Sequence, residues 1–244
     1  MIINIKRYTY LLILEISKII LKFSLIFKLP IFAAFGIILT IRRLKSSHDK
    51  SKKSVLVLEK SHGIDDVKQI VYFKKDKEIN FFLLSRIHLR MIFDFFEKKS
   101  YENYLDFINR LFYILKKLLK INLIISFNLR YPSEKIFQRL DKKLNIKFIV
   151  LQKECLFNEN VILNLKKYFV KQGKFNGDHI TTYNHQFKDM LTSINFVDKD
   201  KITVVGMNRA DRYFKAQNNY QNHILYFLIR PKTGIIEDRT SFSW

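Results

Sequence analysis

Polar and charged residues follow several apolar runs of this sequence, and their side-chain types suit chemistry on an anionic substrate. Glu154 and His62 are the candidate catalytic bases, because a carboxylate or an imidazole can take a proton from a hydroxyl group. Arginine and lysine in the same set can bind phosphate or carboxylate through charge-assisted hydrogen bonds. The candidate substrate-binding residues are Arg86, Asn128, Arg130, Lys153, Gly206, Arg209 and Asp211.

These residues also have ordinary structural explanations. Glu154 could form an internal ion pair with Lys153 or Arg130, and a loop histidine such as His62 is usually solvated or hydrogen-bonded. The single cysteine, Cys155, is expected to be a small buried residue, and it excludes an internal disulfide framework. No Cys/His cluster has zinc spacing, so the sequence predicts no metal site.

The clearest local pattern lies at residues 202–211. Residues 202–205 are β-branched and predict a short buried strand, which Gly206 follows directly. A glycine lets the chain turn sharply into a helix, and a helix N-terminus can bind an anion. Arg209 would add a bidentate contact to that anion.

Strand-like and helix-like segments alternate along the chain, which predicts an α/β fold with a Rossmann-like parallel sheet and flanking helices. The carboxyl ends of parallel strands meet at one edge of a sheet, so the polar residues that follow the strands are expected to converge. The predicted strands are 55–58, 79–84, 121–127, 146–151, 179–182, 202–205 and 224–229. The predicted helices are 65–75, 87–98, 101–120, 133–144, 160–171, 185–194 and a last one ending near 217.

Three segments resemble a known enzyme family. Residues 206–211, Gly-Met-Asn-Arg-Ala-Asp, are similar to the "G-x-P-R-x-D" element of CDP-glycerol glycerophosphotransferases and related surface-carbohydrate glycosyltransferases, with Asn208 where the family usually has proline. Residues 149–155 resemble that group's strand-Lys-Glu-Cys segment, and Leu84-Ser85-Arg86 is a weaker match. The resemblance implies the N-terminal half of a GT-B enzyme, an architecture of two facing Rossmann-like domains.

The resemblance also implies an activity and its partners. Such an enzyme transfers a sugar or polyol phosphate from a nucleotide-activated donor to a glycan or lipid-linked acceptor in cell-surface polysaccharide (capsule) synthesis, with no further cofactor. The donor binds mainly in the C-terminal domain, and residues 200–244 are expected to be only the start of such a domain. The chain is therefore expected to be either a fragment of a longer enzyme or a truncated gene product, and to lack transfer activity by itself.

Residues 1–45 differ from the rest and predict a membrane-associated helical segment. Glu15, Lys18 and Lys22 share one helical face, Pro30 breaks the helix, and an apolar run of 29–41 follows. That run spans roughly 20 Å, which is short of the roughly 30 Å hydrocarbon core. We expect helices in the interface of an anionic membrane at the cytoplasmic face of the inner or plasma membrane. A single span, or a pair that packs only on protein, are the alternatives.

The predicted domains are the helical segment 1–45, a linker 46–53, a Rossmann-like domain 54–199 and the incomplete domain 200–244. The formal net charge is +22, which implies attraction to lipid headgroups, nucleic acid or a nucleotide, or reflects lysine-rich solvated surfaces. Nucleic acid is not favoured, because no helix-turn-helix, RRM or zinc pattern is present. The alternative function is a non-enzymatic basic protein that binds membranes or nucleic acid.

Overall fold

The parallel sheet is the centre of the fold. The structure, a computed structural model, describes residues 2–44, 53–59, 67, 79–97, 100–140, 142–152 and 159–206. In these residues seven strands form one sheet in the order β1-β3-β2-β4-β5-β6-β7, in which β2 to β7 run parallel and β1 pairs antiparallel with β3. The strands are β1 (Arg42–Leu44), β2 (Lys53–Glu59), β3 (Ile79–Ser85), β4 (Ile121–Ser126), β5 (Lys147–Leu151), β6 (His179–Thr182) and β7 (Ile202–Val204).

The described helices include two N-terminal ones and several that connect the strands. They are α1 (Ile2–Phe27), α2 (Pro30–Thr40), α3 (Arg86–Glu97), α4 (Tyr101–Leu119), the one-turn α5 (Pro132–Lys135), α6 (Glu159–Gln172) and α7 (His185–Ser193). Short 3₁₀ turns occupy Ile136–Arg139, Lys142–Leu144 and Lys199–Lys201. Asn184 caps α7, since its side-chain oxygen accepts from the backbone N–H of Phe187 at 2.9 Å.

The α/β class and the Rossmann-like parallel sheet with flanking helices are confirmed. The predicted helix 133–144 is wrong, because Leu140 has an extended backbone (ψ 142°) and the segment forms α5 and two 3₁₀ turns. Strand β1 was not predicted, because its three residues include two arginines and carry no apolar pattern. The predicted helices 65–75 and 209–217 and strand 224–229 lie outside the described residues, apart from residue 67.

The sheet buries apolar side chains on both faces. Leu56 and Leu58 of β2 point into the larger core with the described helices, whereas Val55 and Val57 point into a smaller core on the opposite face. This alternation follows from the two-residue period of a strand. A strand that is buried on both faces reads as a continuous apolar run, which is why the sequence revealed it.

The N-terminal helices are packed onto this core. Leu21, Ala33 and Ile37 are fully buried in the larger core, in the same cluster as the helices that follow β3. Within the described residues, no helix is both long enough and apolar enough to cross a membrane. The predicted domain boundaries stay predictions, but the helices before residue 45 share this core and β7 pairs with β6 in the same sheet.

A buried polar link joins α1 to α3. The hydroxyl of Ser17 donates to the backbone carbonyl of Gly36 at 2.7 Å, so its oxygen accepts from Nε2–H of His88, also at 2.7 Å. His88 is fully buried, and burial lowers the pKa of its imidazole from 6.5 to about 4. The ring is therefore neutral in the folded protein at neutral pH.

Acid is expected to destabilise the fold through His88. The unfolded imidazole binds a proton below pH 6.5 and the folded one only below about 4, so stability is complete above 6.5 and falls as the pH decreases through that window. The shift corresponds to a loss of about 3 kcal/mol in the free energy of unfolding. Urea denaturation at pH 7 and pH 4.5 checks this. His88→Gln should flatten the dependence, and an unchanged slope in that variant would contradict the assignment.

Candidate functional site

The strand order reverses between β2 and β4. The chain passes from β2 to β3 on one side, then crosses back over β2 to β4 on the other, and continues outward to β7. In open α/β sheets, ligands bind outside the carboxyl ends of the strands at such a reversal. The candidate site is therefore the crevice at the carboxyl ends of β2, β3 and β4, which we call the switch crevice.

A buried carboxylate ties the ends of two strands together at this crevice. Glu134, in the first turn of α5, accepts from Nε of Arg86 at 2.8 Å and from the hydroxyl of Ser126. Its side chain is 4% exposed and that of Arg86 is 32% exposed. The guanidinium of Arg86 also lies over the ring of Tyr131, 4.0 Å from its centroid. The result is a fixed cation whose position depends on both β3 and β4.

The loop that follows β4 is held by hydrogen bonds to its neighbours. The side-chain oxygen of Asn128 accepts from the backbone N–H of Arg130 at 2.7 Å, which is an Asx turn. The backbone N–H of Leu129 donates to the side chain of Gln152, just after β5, at 3.1 Å. From α6, the hydroxyl of Tyr168 contacts the carbonyl of Arg130 at 3.4 Å. The loop therefore has a defined shape, with the side chain of Arg130 exposed.

The structure brings three of the predicted substrate-binding residues to one edge. Arg86 follows β3, and Asn128 and Arg130 follow β4. Asn128 is buried and shapes its own loop, and Arg86 contacts Glu134 and Tyr131, so both have structural roles there. Their binding of a substrate stays a prediction.

The other predicted residues are apart from this group or outside the described residues. Gly206 follows β7 with a φ of 70°, a left-handed conformation that favours glycine. β7 is three strands from β4, which is about 14 Å at the usual strand spacing, so Gly206 is not part of the switch crevice. The remaining five are not described by the structure: His62, Lys153, Glu154, Arg209 and Asp211.

Sequence reasoning missed the residue that organises the crevice, Glu134. A signal was present in Tyr131-Pro132-Ser133-Glu134, because proline at the first helical position and an acid in the first turn mark a helix start. That start follows a strand closely, so the carboxylate had to lie near the strand's carboxyl end. Its pairing with Arg86, 48 positions earlier, could not be predicted without knowing the order of the strands in the sheet.

A second candidate surface is the outer face of the N-terminal helices. Its large apolar side chains are 41–67% exposed, and we call them the outer helical face: Leu11, Leu12, Ile16, Ile19, Phe23, Ile26, Phe27, Leu29, Ile31, Phe32, Phe35 and Leu39. Phe23 contacts Phe27 and Phe32 with ring centroids 4.4 and 5.6 Å away. Lys22 and Lys28 are exposed on the same helical hairpin. Apolar and basic side chains are thus interleaved on one surface.

No family model, no curated protein and no solved structure matches the chain. Across the described residues, no group of three or more His, Cys, Asp or Glu side chains is arranged to hold a metal ion.

Proposed function

We propose that this protein is held on the cytoplasmic face of an anionic membrane, where its α/β domain serves surface-polysaccharide synthesis. The observation that carries the proposal is the outer helical face, whose large apolar side chains are exposed while the opposite side of the same helices is buried in the core. Contiguous exposed apolar surface marks interaction with a membrane or a protein. Because one side of these helices is packed on the core, the exposed apolar side chains are held in a fixed orientation relative to the α/β domain.

The charges beside this face favour lipid over a protein partner. Lys22 and Lys28 lie among the exposed apolar side chains, which is the pattern of helices in the membrane interface. Each basic residue near an anionic surface contributes about 1 kcal/mol to binding. The formal net charge of +22 adds a long-range attraction in the same direction.

The proposed chemistry is transfer of a sugar or polyol phosphate from a nucleotide-activated donor to a glycan or lipid-linked acceptor. The switch crevice supports it by presenting Arg86 and Arg130 where an anionic acceptor would lie. The resemblances at residues 149–155 and 206–211 support the GT-B assignment. In this proposal Glu154 or His62 takes the proton from the attacking hydroxyl, and Lys153, Arg209 and Asp211 bind substrate.

Binding of a short glycerol phosphate oligomer tests the crevice in the full chain. We expect Arg130→Ala to weaken that binding about tenfold or more, because a charge-assisted contact to phosphate is lost. Arg110→Ala is the matched control, since Arg110 is an exposed arginine on α4 paired with Asp106. Titration calorimetry in a non-ionic detergent measures both. Equal affinity of the two variants would remove Arg130 from the acceptor site.

A further inference from the structure

A groove of about 630 Å³ lies in the helical layer beside the switch crevice. It runs along the chain that connects β4 to β5 and is bordered by side chains of α3, α4 and α6. We call it the crossover groove. Its cations are Lys135, Arg139 and Lys174, and its aromatic lining includes Tyr101 and Tyr168.

The groove has a structural cause. The connection from β4 to β5 is a one-turn helix and two 3₁₀ turns, where a continuous helix over 133–144 was predicted. The extended backbone at Leu140 interrupts the helical path. A shortened crossover fills less of the helical layer than a full helix would, so the side chains of neighbouring helices line the space left open.

The cations of the groove are held in place by neighbouring side chains. The ammonium group of Lys135 donates to the hydroxyl of Tyr168 at 3.2 Å and to the side-chain oxygen of Gln172. The guanidinium of Arg139 lies over the ring of Tyr101, 5.2 Å from its centroid. Because these positions are set before a ligand arrives, binding an anion costs less side-chain entropy.

The electrostatics of the groove favour an anion. No carboxylate is among the described residues that line it. Lys174 pairs with Asp198 at 2.6 Å, and the hydrogen bond from Lys174 lowers the pKa of that carboxyl. Among the described residues, neither Lys135 nor Arg139 forms an ion pair with a carboxylate, and their charges face amide and aromatic groups. Lys135 and Arg139 are therefore the cations of the groove that can bind an anionic group.

The aromatic rings add a preference for a ligand with a ring of its own. Tyr101 is 44% exposed, and its ring offers a flat apolar surface with a polar hydroxyl at its edge. Amide side chains of Gln138, Gln172 and Asn176 also line the groove and can exchange hydrogen bonds with hydroxyl groups. Cations, amides and flat rings together match the chemistry of a sugar that carries an acidic group.

We propose that the crossover groove binds an acidic saccharide, with its anionic group on Lys135 and Arg139 and its sugar ring against Tyr101 or Tyr168. The identification of the ligand as a glycan rests on the proposed function. The site lies in the helical layer, so a chain bound there could extend toward the switch crevice.

Binding of trigalacturonate, glucose 6-phosphate and neutral maltotriose to the full chain tests the groove. We expect the two acidic probes to bind and maltotriose to bind at least tenfold more weakly. The double variant Lys135→Gln/Arg139→Gln should weaken the acidic probes about tenfold or more. The matched control is Lys167→Gln/Lys171→Gln, which removes two charges from α6 outside the groove lining and should leave affinity within about twofold.

Other outcomes overturn the proposal. Equal losses in the two double variants would show that any positive charge suffices, and tighter binding of an oligonucleotide than of trigalacturonate would assign the groove to nucleic acid. Circular dichroism of each variant checks that the fold is retained. Tyr101→Ala removes an aromatic ring of the groove while it keeps all the cations, so it tests the ring contact separately from the charges. These measurements contain no lipid or donor nucleotide. Their failure would leave the membrane attachment and the switch crevice as proposed, and the reverse also holds.

Discussion

Replacing Glu134 with alanine is expected to lower the free energy of unfolding by about 2–4 kcal/mol. The carboxylate is buried, and it is the shared acceptor for Arg86 after β3 and Ser126 at the end of β4. Its removal leaves a guanidinium that is two-thirds buried without its anion. The lower end of the range allows for the part of Arg86 that water can reach.

An exposed ion pair of similar geometry serves as the control. Arg110 and Asp106 on α4 are 3.0 Å apart, with side chains 67% and 59% exposed. Asp106→Ala is expected to change the free energy of unfolding by about 0.5 kcal/mol or less. Urea denaturation followed by circular dichroism measures both variants. Equal losses would mean that Glu134 does not hold the two strand ends together.

Replacing three side chains of the outer helical face should release the protein from lipid. The variant Ile19→Ser/Phe23→Ser/Ile26→Ser removes apolar groups that are 67%, 46% and 66% exposed. Burying one such side chain contributes roughly 1.5–3 kcal/mol, so even partial insertion predicts a loss of about a hundredfold or more in partition to anionic vesicles. Because these side chains are outside the core, thermal stability should change little.

Vesicle flotation measures this release, and a matched variant tests its location. Leu118→Ser/Leu163→Ser/Val170→Ser also removes three exposed apolar side chains, from α4 and α6, which are 61%, 55% and 62% exposed. This second variant should float like the unmodified protein. Equal release of both variants would show that general surface hydrophobicity, and not the N-terminal helices, determines binding.

The sequence predicted the sheet well because its central strands carry apolar side chains that are buried on both faces. Four of the six residues 121–126, for example, are apolar, and such a run between polar turns has few other structural solutions. The prediction of a helix over 133–144 was wrong because a local apolar pattern did not determine the conformation. Its apolar spacing is helical, but Leu140 takes an extended backbone, and tertiary packing decided the conformation against local pattern.

The site was less predictable than the fold. The position of Arg86 after a strand was visible in the sequence, but its contact with Glu134 depends on β3 and β4 lying on either side of β2. The N-terminal apolar helices were also predicted only in part. Their amphipathic pattern was clear, yet which side faces the core depends on the packing of Leu21 and Ile37 against the domain.

The depth of single labelled positions in a membrane tests the central claim most directly. An environment-sensitive fluorophore is attached at Ile26→Cys or at Leu118→Cys, each in a Cys155→Ser background. The two residues are similarly exposed, at 66% and 61%, but Ile26 lies on α1 and Leu118 lies on α4. With anionic vesicles, the label at 26 should shift to the blue and be quenched by lipid-borne quenchers, while the label at 118 stays in water. A label at 26 that does not respond to vesicles, or quenching at 118 alone, would contradict the account.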